Sequence, residues 1–307
     1  MTIKMRQSKK MDDIPFSGIR KVFEAAGQLE KQGKDIINLG IGRPNFDTPA
    51  HIKEAAKKSL DEGNVFYTSN YGTEGLRSAV AEKLKRDNGL DYEMTDVIVT
   101  VGANQAVSIA MTALLDPGDE VLVPNPSWLH YFYCADLVGA KTVSYPLLEE
   151  NGFNVIPEDI EKLVTPKTKM VIVNSPNNPT GSILSKESLQ AIADIANKYD
   201  LIVLSDEIYE KLIYDDSVHH SIASLDGMKE RTVLIHGVSK SYSMTGWRIG
   251  FAVSANKEFI SAMIRVLQYT VTCANSFAQD GAEAALRGSQ QCVEDMRLQF
   301  DRRRKLV

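Results

Sequence analysis

Cysteine is scarce in this 307-residue chain: Cys134, Cys273 and Cys292 are odd in number, far apart and never arranged as C-x-x-C. That spacing signals neither a disulfide framework nor a thiolate zinc site, and no metal is expected. Long apolar runs are missing too, none approaching the roughly 18–20 residues needed to cross a bilayer. The first twenty residues are polar and basic and lack the apolar stretch of a secretory signal. Nor is charge of one sign in large excess. Against 40 Asp plus Glu stand 35 Lys plus Arg, a formal −5, so no global field draws in nucleic acid or an anionic membrane. Internal repeats and low-complexity linkers are absent. A reducing cytoplasmic setting is the simplest expectation.

What is present is ordinary globular composition, 43% hydrophobic and 24% charged, with length enough for a substantial core. Short valine- and isoleucine-rich runs alternate with longer helical patterns. Strands are expected at 97–101, 120–123 (ending at Pro124), 169–173, 201–204, 232–235 and, less regularly, 248–253. Helices are expected at 104–115, 186–199 and across most of 276–305, where Val293, Met296 and Phe300 form an apolar stripe. The basic run Arg302 to Lys305 suits a helix C-terminus, where positive charge opposes the dipole, better than a nucleic-acid patch. Buried strands alternating with helices imply an α/β fold, a three-layer α/β/α sandwich around a mostly parallel sheet.

In such sheets ligands bind beyond the carboxyl ends of the strands, and four chemically suggestive loops fall there. Gly102-Ala103-Asn104 follows one strand and opens a helix, Asn178 follows a second, Asp206 a third and Lys240 a fourth. Lys240 lies eight residues before Arg248, in Ser239-Lys240-Ser241-Tyr242-Ser243-Met244-Thr245-Gly246-Trp247-Arg248. Taken alone, that lysine would be a solvated surface charge. Together the loops meet the demands of pyridoxal 5′-phosphate. A phosphate dianion suits the helix-opening amides and an arginine fork. A protonated ring nitrogen calls for a carboxylate, and Asp206 leaves a buried strand, although it could instead cap a helix. Tyr209, three residues on, could share that face or be a plain packed aromatic. Trp128 could stack on a flat ring or sit in the core. Lys240 must be neutral to act, so burial and the Arg248 charge would have to lower its pKa.

With these residues in order, the chain resembles the class I/II aminotransferases, aspartate-aminotransferase-like enzymes of fold type I. The resemblance rests on Gly40-Ile41-Gly42-Arg43-Pro44-Asn45-Phe46-Asp47-Thr48-Pro49, Tyr67-x4-Gly72, Asn174-Ser175-Pro176-Asn177-Asn178-Pro179-Thr180-Gly181, Ser205-Asp206-Glu207-Ile208-Tyr209, and Ser239-Lys240 through Arg248. It implies that Lys240 bonds covalently to the cofactor and shuttles the substrate proton. It further implies that Asp206 pairs with the ring nitrogen and that Asn178 and Tyr209 bond the ring's phenolic oxygen. Arg248 with the Gly102, Ala103 and Asn104 turn would hold the phosphate, and Trp128 would stack on the ring. Gly42, Trp128 and Asn178 would lie near substrate. Tyr67 would reach the phosphate of a neighbouring subunit, which implies a homodimer.

The substrates implied are an L-amino acid and a 2-oxo acid, handled in a ping-pong cycle. Arg43 departs from the acidic residue common in relatives and is expected to face solvent. The resemblance also implies an N-terminal segment at 1–45, a cofactor-binding large domain at 46–285, and the start of an interdomain helix at 286–307. The C-terminal small domain, with the arginine that grips the substrate's α-carboxylate, is expected beyond residue 307. Two other readings remain open at this point: a lyase of the same fold, and a cofactor-binding protein impaired in catalysis.

Overall fold

The computed structural model describes residues 7–12, 14–16, 18–37, 40 and 42–307. Ile41 and residues 1–6, on which parts of the expectations rest, lie outside the described residues. The chain forms two compact units, residues 1–45 and 46–307. In the first, a short turn at Lys9–Met11 precedes helix α1 (Gly18–Lys31), and Val22, Phe23 and Leu29 of that helix are exposed. Arg43 is exposed as well.

The second unit opens with helices α2 (Ala50–Asp61) and α3 (Glu74–Asn88). Strand β1 (Val97–Thr100), α4 (Gly102–Leu114), β2 (Glu120–Asn125), α5 (His130–Val138) and β3 (Lys141–Pro146) follow. Next come α6 (Pro157–Glu161), β4 (Thr168–Asn174), α7 (Lys186–Tyr199), β5 (Ile202–Asp206) and β6 (Thr232–Gly237). The chain then runs through β7 (Gly250–Val253), α8 (Lys257–Thr270), α9 (Ser276–Arg287) and α10 (Gln291–Arg304).

The seven strands form one sheet in the order β1-β7-β6-β5-β4-β2-β3. Only β7 runs against its neighbours, antiparallel to both β1 and β6; the other pairings are parallel. Helices α4, α5 and α8 pack on one face around Ile98, Val123, Ile172 and Leu204. The other face is covered by α2, α3 and α9 at one end and by α6 and α7 at the other. This is the expected three-layer sandwich, and it explains why an inner strand such as Gly250–Val253 is buried at every position.

Local chemistry places the ends. Thr73 and Ser185 cap α3 and α7 through side-chain oxygens, and Gly89 closes α3 in the left-handed region. Two expectations need correction, and one strand had no signal in the pattern. Pro124 does not end β2, which runs to Asn125; pairing to β4 stops at Leu122, so the missing N–H interrupts no bond on that side. Lys141–Pro146 is a strand the pattern hid, because an edge strand carries polar residues on its exposed positions. The long helix expected to span most of 276–305 is two helices, broken where Gly288 turns extended. Within α10, Val293 and Met296 are buried, and Phe300 meets the Phe46 ring edge-on at 5.2 Å. Arg302, Arg303 and Arg304 do occupy the last turn of a helix.

Candidate active site

The site grows from the turn between β1 and α4. Gly102 has φ +77°, which an L side chain adopts only under strain. A Cβ there would also meet Arg248 Nη2 at 2.4 Å, so glycine leaves the space that the guanidinium fills. Arg248 donates to the carbonyls of Thr245 (3.1 Å) and Val101 (3.3 Å), which holds its fork beside the first amides of α4. Gly250 lets β7 approach the same turn: a Cβ on it would stand 2.3 Å from Ala103 N. Positive charge and unbonded helix-opening N–H groups thus share one spot, a ready anion seat.

At the end of β5, Asp206 is buried at 2% exposure. Its donors are neutral: Tyr131 Oη at 2.8 Å on Oδ2 and the Ile208 amide at 3.2 Å on Oδ1. Burial lifts its pKa to about 6, although both hydrogen bonds oppose the rise. Tyr131 in turn meets Trp128 edge-on at 5.5 Å, and Trp128 leans on His130 at 4.5 Å with a 30° tilt. His130 Nε2 lies 3.1 Å from the Asn104 carbonyl, which ties the tryptophan loop to α4.

The Asn178 loop is clipped to the same strand end. Asn174 Oδ1 accepts from the Asn178 amide (2.9 Å), while Asn174 Nδ2 donates to the Asp206 carbonyl (3.1 Å). Asn177 Nδ2 reaches the Pro126 carbonyl (3.4 Å) and joins this loop to the one carrying Trp128. Lys240 follows β6, with Nζ 5.5 Å from the centroid of the Tyr209 ring. Burial holds its amine below the ordinary value; Asp206 opposes that and the Arg248 charge adds to it.

Gly102, Ala103 and Asn104 open α4 just after β1, and Asp206 ends β5. Trp128, Asn178, Tyr209 and Lys240 stand on segments that follow parallel strands, and Arg248 on the loop that enters the antiparallel β7. Two other expected residues stand apart from these loops in the sequence. Tyr67 is 88% exposed beside the exposed Phe66, and Gly42 belongs to the first unit. Sequence reasoning missed Tyr131, Asn174 and Asn177. Asn174 and Asn177 stand in the Asn-Pro-rich motif and could have been suspected from their density of amides. Tyr131, 75 positions before Asp206, carried no signal.

A lysine, a buried carboxylate and an arginine fork share one rim of an α/β sheet, a set suited to an anionic carbonyl compound. The chain belongs to the aminotransferase class I and II family, which residues 34–307 match. It is 49% identical to the aspartate aminotransferase of Pyrococcus abyssi over 306 residues, 99% of this chain and 77% of that protein. It is 46% identical to aromatic-amino-acid aminotransferase 2 of Thermococcus litoralis, over 99% of this chain and 77% of that one. A solved double mutant of Thermus thermophilus aspartate aminotransferase matches with a TM-score of 0.94 and 40% identity, across 98% of this chain and 79% of that chain. The protein is an aminotransferase of a kind that uses pyridoxal phosphate.

The residues present fit that group. Asp206 is a buried acid served only by neutral donors, which a pyridinium would complete. Gly102 is a cradle that a Cβ would fill, beside an arginine fork sized for a phosphate.

Proposed function

We propose that this chain holds pyridoxal phosphate at the Asp206–Lys240 rim and moves amino groups between acidic or aromatic L-amino acids and 2-oxo acids. One observation carries the reading: Lys240 lies within electrostatic reach of both the buried Asp206 carboxyl and the Arg248 guanidinium seated over Gly102. When bound, the cofactor's ring supplies an electron sink for the charge left on the substrate's Cα. The chain supplies the rest. Arg248 and the amides of Ala103 and Asn104 bind the phosphate. Asp206 holds a proton on the ring nitrogen, and Asn178 and Tyr209 bond the phenolic oxygen. Trp128, braced perpendicular to Tyr131, would stack against the ring.

Lys240 is the covalent attachment point and then the base. With its amine held below the ordinary lysine value, a larger neutral fraction would be available to take the substrate's Cα proton and give it back later in the cycle. The same steps in reverse serve the 2-oxo acid. The amino-acid classes are taken from the relatives that act on aspartate and on aromatic amino acids. Exposed Val65, Phe66 and Tyr67 support a homodimer in which Tyr67 serves a neighbouring site, with Gly42 near the substrate carboxylate. Three free cysteines suit a cytoplasmic setting, and among the described residues no helix is long and apolar enough to cross a membrane.

The test is single-turnover absorbance of the reconstituted protein against a panel of amino acids, with a Lys240→Ala variant alongside. The spectrum is expected to shift with aspartate or an aromatic amino acid, and borohydride should fix cofactor to the parent chain only. A spectrum indifferent to every amino acid, or an adduct retained by Lys240→Ala, overturns the assignment.

A further inference from the structure

Side chains alternate across a strand, so consecutive residues at its end point to opposite faces. Asp206 turns to Tyr131, among the residues packed with α4 and α5. Glu207 turns the other way, into a second ionisable cluster that the reaction does not use. Its Oε1 accepts from Ser205 Oγ (2.9 Å) and Ser221 Oγ (2.7 Å), and its Oε2 meets His219 Nε2 at 2.8 Å. Three residues on, Glu210 pairs with Lys83 of α3, while Asn88 donates to its other oxygen at 2.7 Å. His236, on β6, places Nε2 3.7 Å from Glu207 Oε2 and has no hydrogen-bond partner at that atom.

The side chains of Glu207, Glu210, Lys83, His219 and His236 are all more than nine-tenths buried. Burying a charge costs several kcal/mol unless it is paired, so such a cluster is unlike chance surface polarity. One ligand atom each from Glu207, Glu210 and His236 lies within 4.8 Å of the others. The Lys83 ammonium already serves Glu210 as its cation, so the arrangement is an ion-pair cluster rather than a metal site.

The residues of the cluster belong to the turn that carries the site, and backbone bonds tie that turn to β6 and to itself. Glu207 N donates to the Ile235 carbonyl (3.0 Å), Ile208 N to Asp206 Oδ1 (3.2 Å), and Glu210 N to the Glu207 carbonyl (3.0 Å). The Asp206–Glu210 turn is thus pinned by Asp206 from one face and by Glu207 and Glu210 from the other.

We propose that Glu207, clamped by His219 and Ser221, is a positioning residue that locks this turn from the far face of the sheet and so fixes the aim of Asp206 and Tyr209. The proposal rests on Asp206 as the partner of the cofactor ring. It implies a pH dependence. Burial works against the charge of His219, but Glu207 raises its pKa overall, so the clamp is complete at low pH and weakens as pH rises past the ordinary histidine value. The charged groups facing His219 are Glu207, Glu210 and Lys83, with the imidazole of His236, which burial keeps neutral, beside them and Asp87, Lys211, Glu294 and Arg297 around the adjoining hollow.

The variant is Glu207→Gln, which keeps the shape and removes the charge. In the cofactor-free protein, amide exchange at Ile208 and Glu210 is expected to accelerate. Cofactor affinity, read by spectral titration, is expected to fall about tenfold, the effect of one charged hydrogen bond. Its dependence on pH between about 6 and 8 should flatten. A folded variant with parental exchange and parental affinity, or one that loses only thermal stability, overturns the proposal. Should Glu207→Gln fail to fold, His219→Gln and Ser221→Ala carry the same measurements, and unchanged exchange in both refutes the clamp. A parent chain that binds no cofactor would instead refute the site assignment, and the exchange data would still decide the clamp.

Discussion

Replacing Asp206 by asparagine in the cofactor-free protein isolates what the site costs the fold. The carboxyl is fully enclosed and its pKa rises from 3.8 to about 6, chiefly because burial disfavours the charge. Between those values the folded state binds more protons than the unfolded one. Stability therefore falls as pH rises through the interval, by about 3 kcal/mol in total, roughly half of it between pH 5 and pH 8. Asparagine carries no charge, so the variant lacks this loss. Near pH 5 the protonated acid and the amide are alike in charge: each keeps one accepting oxygen for the Ile208 amide, and the Tyr131 hydroxyl can turn to accept from the O–H or N–H at the other position.

Urea unfolding of parent and variant should thus nearly coincide at about pH 5. At about pH 8 the variant should be more stable by roughly 1–2 kcal/mol. Adding cofactor should invert the order, because only the parent gains a charged partner for the ring nitrogen. A parental stability that does not fall over this range, or a variant that gains as much from cofactor as the parent does, refutes the reasoning.

Two further outcomes follow from named contacts. Gly102→Ala should lose about 1–2 kcal/mol from the positive φ and also displace Arg248, weakening cofactor and inorganic phosphate alike in titrations. Gly181→Ala, where φ is +72° but nothing lies within 4 Å, should show the stability loss without the loss of phosphate. Lys83→Met should cost about 3–5 kcal/mol in urea unfolding by stranding Glu210, and adding Glu210→Leu should recover most of it; a double variant as unstable as the single one would contradict the pairing.

Much of this molecule is legible locally. The alternation of apolar strands and helical stretches is a short-range pattern, and it suffices for a three-layer sandwich. The motif residues lie at strand ends because chain punctuation puts them there. What escaped reading involved partners distant in sequence. Strand β3 is polar because it lies at an edge that is left partly exposed, and that placement is a property of the whole sheet. The break at Gly288 depends on how α9 and α10 each pack, with Ala282 and Val293 both buried in one core.

The sequence by itself determined the family, through a lysine after one buried strand, an aspartate after another, and a glycine turn opening a helix. Those assignments rest on residue type and spacing, which a linear chain states outright. Only the tertiary structure decided that β7 runs backward to bring Gly250 against Gly102 and so seats the Arg248 fork. It alone made Tyr131 the donor to Asp206 and turned Glu207 into a buried cluster on the opposite face. The physical reason is common to all three. Each depends on which face or neighbour a side chain meets after strands far apart in sequence have paired, and no local pattern encodes that pairing.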